Sequence, residues 1–184
     1  MREKVIDVAI KEFTKNGLKF TMNDIAKSMG ISKKTIYTVF DSKEAVFEGI
    51  ADRYFADFLE MQESVSKDKN MDVITKIELI LCALPERYQN IGLSNLCELR
   101  DKYPKSYKRL MTYVSEGWNL VAQYLEQGMR ERKVRELSIP IVMTMIEGTV
   151  TQFMQKKVLV ENSITYEQAK KEMVKVIING IRYE

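Results

Sequence analysis

Residues 21–43 read TMNDIAKSMGISKKTIYTVFDSK. Two short helical patterns flank a three-residue break, and the second opens on Lys33-Lys34. Thr21, with Asp24 three positions on, has the spacing of an N-cap answered by an acidic side chain, a weaker form of the capping box. Phe20 and Ile25 stand where a hydrophobic staple would fix the chain's entry into that helix. Gly30 closes it, because a tight turn needs left-handed backbone that glycine adopts without a Cβ clash. Ser32 then caps the next helix, predicted to run about eight residues to Phe40, or about 12 Å. Small Ala26, bending Gly30 and apolar Ile25, Met29, Ile31 and Ile36 let the two helices cross closely, which is the helix-turn-helix pattern.

A helix held this way presents its N-terminal polar side chains to the major groove of a DNA duplex. Lys33, Lys34, Thr35 and Thr38 suit base edges and phosphates, and Tyr37 adds an apolar ring with a hydroxyl tip. Lys43, at the start of a fourth helix, places positive charge beside a helix end that itself favours anions. Residues 1–43 hold nine Lys/Arg against five Asp/Glu, a surplus larger than the net +3 of the whole 184-residue chain. The basic character is therefore concentrated at the front.

Working outward, Val5, Ile6, Ala9, Ile10 and Phe13 form one helical stripe ending at Asn16-Gly17. Asp41 and Glu44 open the fourth helix, with Val46, Phe47, Ile50, Tyr54, Phe55, Phe58 and Leu59 as its stripe. The polar stretch SVSKDKN (64–70) reads as a linker or loop. Helices are predicted from about Asp72 to Tyr88 with a bend at Pro85, over Ser94 to Lys102, and from Lys105 to about Arg132. Ser138 and Pro140 mark the start of another, and a last one runs from Tyr166 to Ile181. The expectation is an all-α chain of about nine helices: a helix-turn-helix domain over 1–47 and a helical domain over 48–184.

The chain contains no histidine. Serine–histidine and cysteine–histidine nucleophile pairs are thereby excluded, and so is the commonest metal ligand. No glycine-rich phosphate loop is present, and nothing points to a cofactor or a metal. Cys82 and Cys97 read as thiols in apolar surroundings, not as a disulfide framework. No apolar run reaches the roughly 18 residues of a membrane span, and the opening residues are amphipathic, so a cytoplasmic protein without membrane contact is expected.

The register of TMNDIAKSMGISKKTIYTVFDSKEAVFEGI closely resembles the DNA-binding segment of the TetR family of bacterial transcriptional regulators. The matching positions are Thr21, Asp24-Ile25-Ala26, Gly30-Ile31-Ser32, Thr35-Ile36-Tyr37, Phe40 and Ser42-Lys43-Glu44. The resemblance covers about residues 5–50, and the rest agrees in coarse helical pattern. It implies DNA contacts from Thr35 and Tyr37, phosphate contacts from Thr21 and Lys43, and base reading at Lys33 and Lys34. It also implies a ligand-responsive regulator, a repressor released from a palindromic operator when a small hydrophobic effector shifts the fourth helix. An activator, or a regulator answering to a protein partner, is the alternative; a small helical enzyme is the remote one.

A short recognition helix covers few base pairs, so two copies about 34 Å apart are needed on a palindrome, which calls for a homodimer. The apolar run IPIVMTMIEGTVTQFMQ and the stripe of the last helix are the natural contact, with Met145, Gly148, Gln152, Met173 and Ile177 as candidates. Leu81, Tyr88, Cys97, Met111 and Trp118 are candidate lining of an effector cavity, although such a stripe is ordinarily plain core. Glu78 and Glu147 are charges inside apolar runs that could face a lipophilic cation. Arg100, Lys102, Lys105, Lys108 and Arg109 could meet an anionic effector, or simply form a solvated loop near Pro104. In GMRERKVRELS the family often has glycine near Arg132, where this chain does not.

Overall fold

The first stripe folds as read: Val5, Ile6, Ala9, Ile10 and Phe13 are all buried along one side of a fifteen-residue helix. In the computed structural model, residues 1–83, 93–155 and 158–183 are described. Their order is α1 (Arg2–Asn16), a 3-10 turn (Gly17–Lys19), α2 (Met22–Met29), α3 (Lys33–Tyr37), α4 (Lys43–Lys67) and α5 (Val73–Cys82). There follow α6 (Leu93–Lys102), α7 (Pro104–Glu116), α8 (Asn119–Arg130), α9 (Ile139–Gln155), α10 (Val158–Glu161) and α11 (Tyr166–Ile181). Among the described residues, no helix is long and apolar enough to cross a membrane. Extended pairing among them is limited to a bridge between Val134 and Arg182.

The chain divides into two units, Met1–Asp57 with Pro85–Tyr113 and Phe58–Leu84 with Val114–Glu184. In the first, Phe13 meets Phe47 edge-on at 5.3 Å, and Phe20 lies 5.4 Å from the same ring. Ile25, Ile36 and Val46 have no exposed surface, which locks α2, α3 and α4 onto α1. Arg109 and Tyr113 of α7 both bind the Asp52 carboxylate of α4, at 2.5 and 2.9 Å.

In the second unit, α5 buries Val73, Ile74, Ile77, Ile80 and Leu81. It packs against α8, which buries Val121, Tyr124 and Leu125, and against α11, which buries Val174, Ile178 and Ile181. Tyr124 also donates its hydroxyl proton to Ser66 Oγ at 3.0 Å. Thr165 opens α11 with a full capping box against Gln168.

Three expectations change. The segment predicted as one helix from Lys105 to Arg132 is two, α7 and α8, broken at Gly117-Trp118. There the Gln62 amide donates to Gly117 O, supplying a partner to a carbonyl at the break, and Trp118 N–H bonds Ser115 O. The loop expected from residue 64 starts later, because α4 continues through Lys67, helped by a Lys67–Glu63 pair one turn apart at 2.7 Å. The helix expected to reach Tyr88 has α5 ending at Cys82, and its later part, with Pro85, lies outside the described residues.

Candidate nucleic-acid interface

Thr21 begins α2 with both halves of a capping box. Its Oγ1 accepts from Asp24 N–H at 3.2 Å, and Asp24 Oδ2 accepts from Thr21 N–H at 2.8 Å. The Thr21 hydroxyl also donates to that carboxylate, and this bond, followed by the backbone one, holds the Asp24 pKa below its ordinary value. Gly30 takes φ +65°, and Ile31 N–H closes back on Ala26 O at 3.1 Å. The turn thus has the left-handed residue that its sequence called for.

Helix α3 is shorter than predicted, five residues in place of eight. Beyond Tyr37 the chain keeps coiling through 3-10-type bonds, Thr38 N to Thr35 O and Val39 N to Ile36 O, as helix ends commonly do. Ser32 caps it by accepting from Thr35 N–H at 3.1 Å. Ile36 is fully buried underneath, so Lys33, Lys34, Tyr37 and Thr38 face solvent together. Tyr37 is 43 % exposed, and Lys33 Nζ stands 5.6 Å above its ring. Thr35 shares its hydroxyl with Ser32 at 2.8 Å, and Thr38 gives its hydroxyl proton to Thr35 O at 2.7 Å. A phosphate only accepts, so the lysines and Tyr37 are better prepared donors than Thr38 in this state.

Lys43 is placed differently from the other candidates. Its ammonium turns inward, donates to Leu18 O at 2.6 Å and lies 4.4 Å over the Phe20 ring. Burial, then the nearby Lys102 charge, lower its pKa, while Asp24 opposes the shift. Sequence reading also passed over Arg2, which donates to Val39 O at 3.1 Å and stacks 4.2 Å over Phe40. It thereby supports the end of α3. No local pattern could have marked a contact across 37 positions.

The candidate effector residues are distributed over both units. Leu81 and Trp118 are buried in the second unit, at 1 % and 4 % exposure, whereas Met111 is half-buried in the first. Tyr88 and the side chain of Cys97 lie outside the described residues. Glu78 is exposed on α5, a solvated setting that needs no cation. Glu147 is half-buried and accepts from Ser115 Oγ at 3.3 Å. In the basic group, Arg100 pairs with Asp101, Lys102 with Glu98 and Arg109 with Asp52, while Lys105 and Lys108 are exposed. An open cleft of about 850 Å³ in the first unit is lined by Glu12, Lys15, Asp24, Lys27 and Glu98 among others, a lining too polar for a hydrophobic effector. Of the proposed dimer contacts, Met145 is 61 % exposed, and a Cβ on Gly148 would meet nothing within 4 Å. Gln152 is exposed as well, and Met173 and Ile177 are half-buried.

A second helix buried on one side at Ile36 and tipped with lysines on the other, held across the Gly30 turn, is the helix-turn-helix arrangement found in DNA-binding proteins. Residues 5–50 match the family described as bacterial regulatory proteins, tetR family. That match covers the helix-turn-helix and the start of α4. It is 22 % identical over 181 residues to an uncharacterized HTH-type transcriptional regulator, YvaF, of Bacillus subtilis (strain 168), covering 98 % of this chain and 95 % of that protein. It is 21 % identical to the fatty acid metabolism regulator protein of the same organism, covering 97 % and 94 %. Its fold superposes on the crystal structure of the regulator FadR from Bacillus subtilis in complex with stearoyl-CoA, with a TM-score of 0.67, 18 % identity and coverage of 99 % and 100 %. These relatives are transcriptional regulators, not enzymes.

Proposed function

We propose that the chain is a dimeric, ligand-responsive repressor that leaves a palindromic operator when a small hydrophobic effector binds its helical second domain. The observation that carries the DNA half is the one-sidedness of α3: Ile36 fully buried beneath, Lys33, Lys34 and Tyr37 together in solvent above. On this reading Lys33 and Lys34 read bases and Tyr37 meets the backbone. Thr35 and Thr38 lie close enough in register to join them, and Thr21 and Lys43 reach phosphates, Lys43 only after leaving Leu18 O.

Support for the dimer is the apolar surface that α9 and α11 leave open, with Ile141 and Val176 at 62 % and 71 % exposure beside Met145. Support for an acyl thioester or another lipophilic effector comes from the relatives, one named for fatty acid metabolism and one solved with stearoyl-CoA. Helix α4 starts at Lys43 in the first unit and ends at Lys67 in the second, so it is the element through which a ligand's preference for one arrangement would act. A difference of about 3 kcal/mol between the two arrangements changes occupancy by about two orders of magnitude.

The test is a mobility shift on DNA upstream of the chain's own gene, repeated across salt and with acyl thioesters added. Specific, salt-sensitive binding that the thioester reverses is expected. Lys33→Ala or Lys34→Ala should cost about 1–3 kcal/mol at one operator position and much less on random DNA. Equal losses on both DNAs would reduce those lysines to phosphate contacts, and absence of specific binding would sink the regulator reading.

A further inference from the structure

The cage around Lys43 has one wall that belongs to neither the helix-turn-helix nor α4. Its ammonium sits over Phe20 at 4.4 Å, with the rings of Phe47 and Tyr103 at 5.7 and 6.0 Å, and is hydrogen-bonded to Leu18 O. Leu18 lies in the turn between α1 and α2, Phe20 just before α2, and Phe47 on α4. Tyr103 stands at the corner between α6 and α7, its ring tilted against Phe47 at 4.9 Å. The same α6 also meets the α1–α2 turn at Asn95, whose side chain fills the space where a Cβ on Gly17 would be. The corner that carries Tyr103 is therefore seated against the turn that supplies Leu18.

We infer that Tyr103 is a positioning residue for DNA binding: its ring retains the Lys43 ammonium inside the first unit and sets the cost of releasing it to a phosphate. The inference rests on the DNA-binding reading of α3. Leu18 O uses one of the three ammonium donors, and a side chain that extends to a phosphate moves its ammonium off the ring faces. Each ring face stabilises the caged cation through its quadrupole, and each such contact must be given up before Lys43 can reach DNA. The Lys102 charge adjoining Tyr103 acts in the opposite sense and favours release. A shift of the α6–α7 corner would alter both effects together, so this corner can tune one electrostatic contact without moving α3.

Operator affinity measured across salt in the full chain separates the roles. Tyr103→Leu should bind operator and random DNA alike about 3–10-fold more tightly with an unchanged salt slope, and Tyr103→Phe, which keeps the ring, should return to the original affinity. Lys43→Met should bind more weakly, with the log–log salt slope shallower by about 0.9. In a Lys43→Met background, Tyr103→Leu should gain nothing. A gain that persists without Lys43, an unchanged or weaker affinity in folded Tyr103→Leu, or a Lys43→Met slope equal to the original would each overturn the inference. Reductive methylation of the unaltered chain, read residue by residue by mass spectrometry, covers the case of a variant that does not fold. Slower labelling at Lys43 than at Lys33 and Lys34 is expected, and equal labelling overturns the cage. If the unaltered chain shows no salt-sensitive DNA binding, the DNA reading fails, while the labelling result still reports on the cage.

Discussion

The two units differ in what they leave unfinished. Among the described residues of the first, the large apolar side chains that stay exposed are Met1, at the chain start, and Tyr37, on the face proposed for DNA. In the second they are Leu59, Leu79, Ile141, Met145, Ile164, Val176 and Tyr183. Positive φ divides the same way, at Gly17 and Gly30 in the first unit and at Arg132 and Ser163 in the second. The first unit satisfies its local conformational demands with the residues best suited to them. The second carries surplus apolar surface and backbone strain. Exposed Ile141 and Met145 on α9 and Val176 on α11 are apolar surface of the kind that a partner can cover.

The largest effect should follow from charging that surface. Met145→Glu combined with Val176→Glu places carboxylates on a face that a two-fold would bring against its own copy, so like charges meet twice. Association should weaken at least about 100-fold, or about 3 kcal/mol, while the fold is kept, since both positions are exposed in the single chain. Sedimentation of the unaltered chain should give a dimer at micromolar concentration and the double variant a monomer. A monomer in both cases would break the comparison, because the second unit would then tolerate its bare apolar face in water.

A second difference is a buried charge. Lys170 of α11 is 6 % exposed and donates to Ala83 O at 2.7 Å, and burial pushes its pKa down to about 8 from the ordinary 10.5, with Cys82 opposing. A lysine pKa that falls on folding means that the folded chain disfavours the charged form. Below pH of about 8 both states are protonated and the penalty is whole, about 3 kcal/mol. Between about 8 and 10.5 the unfolded chain binds the extra proton, so this group makes stability rise with pH until the penalty is gone. Lys170→Met removes the charge but leaves Ala83 O without its donor, a loss of about 1 kcal/mol. Urea unfolding should show the variant more stable by about 1–2 kcal/mol at pH 7 and no better than the original near pH 10.5. A variant less stable at pH 7 would mean that the ammonium stabilises the second unit.

The first unit was legible because its signals are local. Thr21, Gly30 and Ser32 each act within four residues, and the stripe from Val5 to Phe13 follows from helical period alone. The inward turn of Lys43 was not legible, since Leu18 lies 25 positions away and Tyr103 lies further still. The break at Gly117-Trp118 escaped for the same reason: Gln62, which partners the Gly117 carbonyl, is 55 positions distant. Exposure of Met145 and burial of Lys170 also depend on which face of a mostly apolar helix turns inward, and periodicity cannot decide that when nearly every position is apolar. Glu78 illustrates the limit, being a charge within an apolar run that proves to be on the exposed side of α5.

The smallest effect lies where family members often have glycine. Helix α8 ends with Lys133 N–H bonded to Gly128 O at 2.8 Å and Arg132 N–H to Met129 O at 3.1 Å, a closure that puts Arg132 at φ +55°. Gly128 cannot share the strain by accepting a side chain, because a Cβ there would run into Val134 Cγ2. Val134 in turn is held by the bridge to Arg182, and Arg135 N–H by Ile181 O at 2.9 Å, so the turn cannot relax without giving up those bonds. A left-handed arginine costs about 1–2 kcal/mol, and glycine loses about 0.5–1 kcal/mol of that advantage through its larger unfolded-state entropy. Arg132→Gly should therefore stabilise the second unit by about 0.5 kcal/mol in urea unfolding. Gly30→Ala in the first unit should do the reverse, destabilising by about 1 kcal/mol although its Cβ would meet nothing within 4 Å, because φ +65° alone opposes it. If both substitutions moved stability in the same direction, backbone strain would not distinguish the two units, and only the exposed apolar face would.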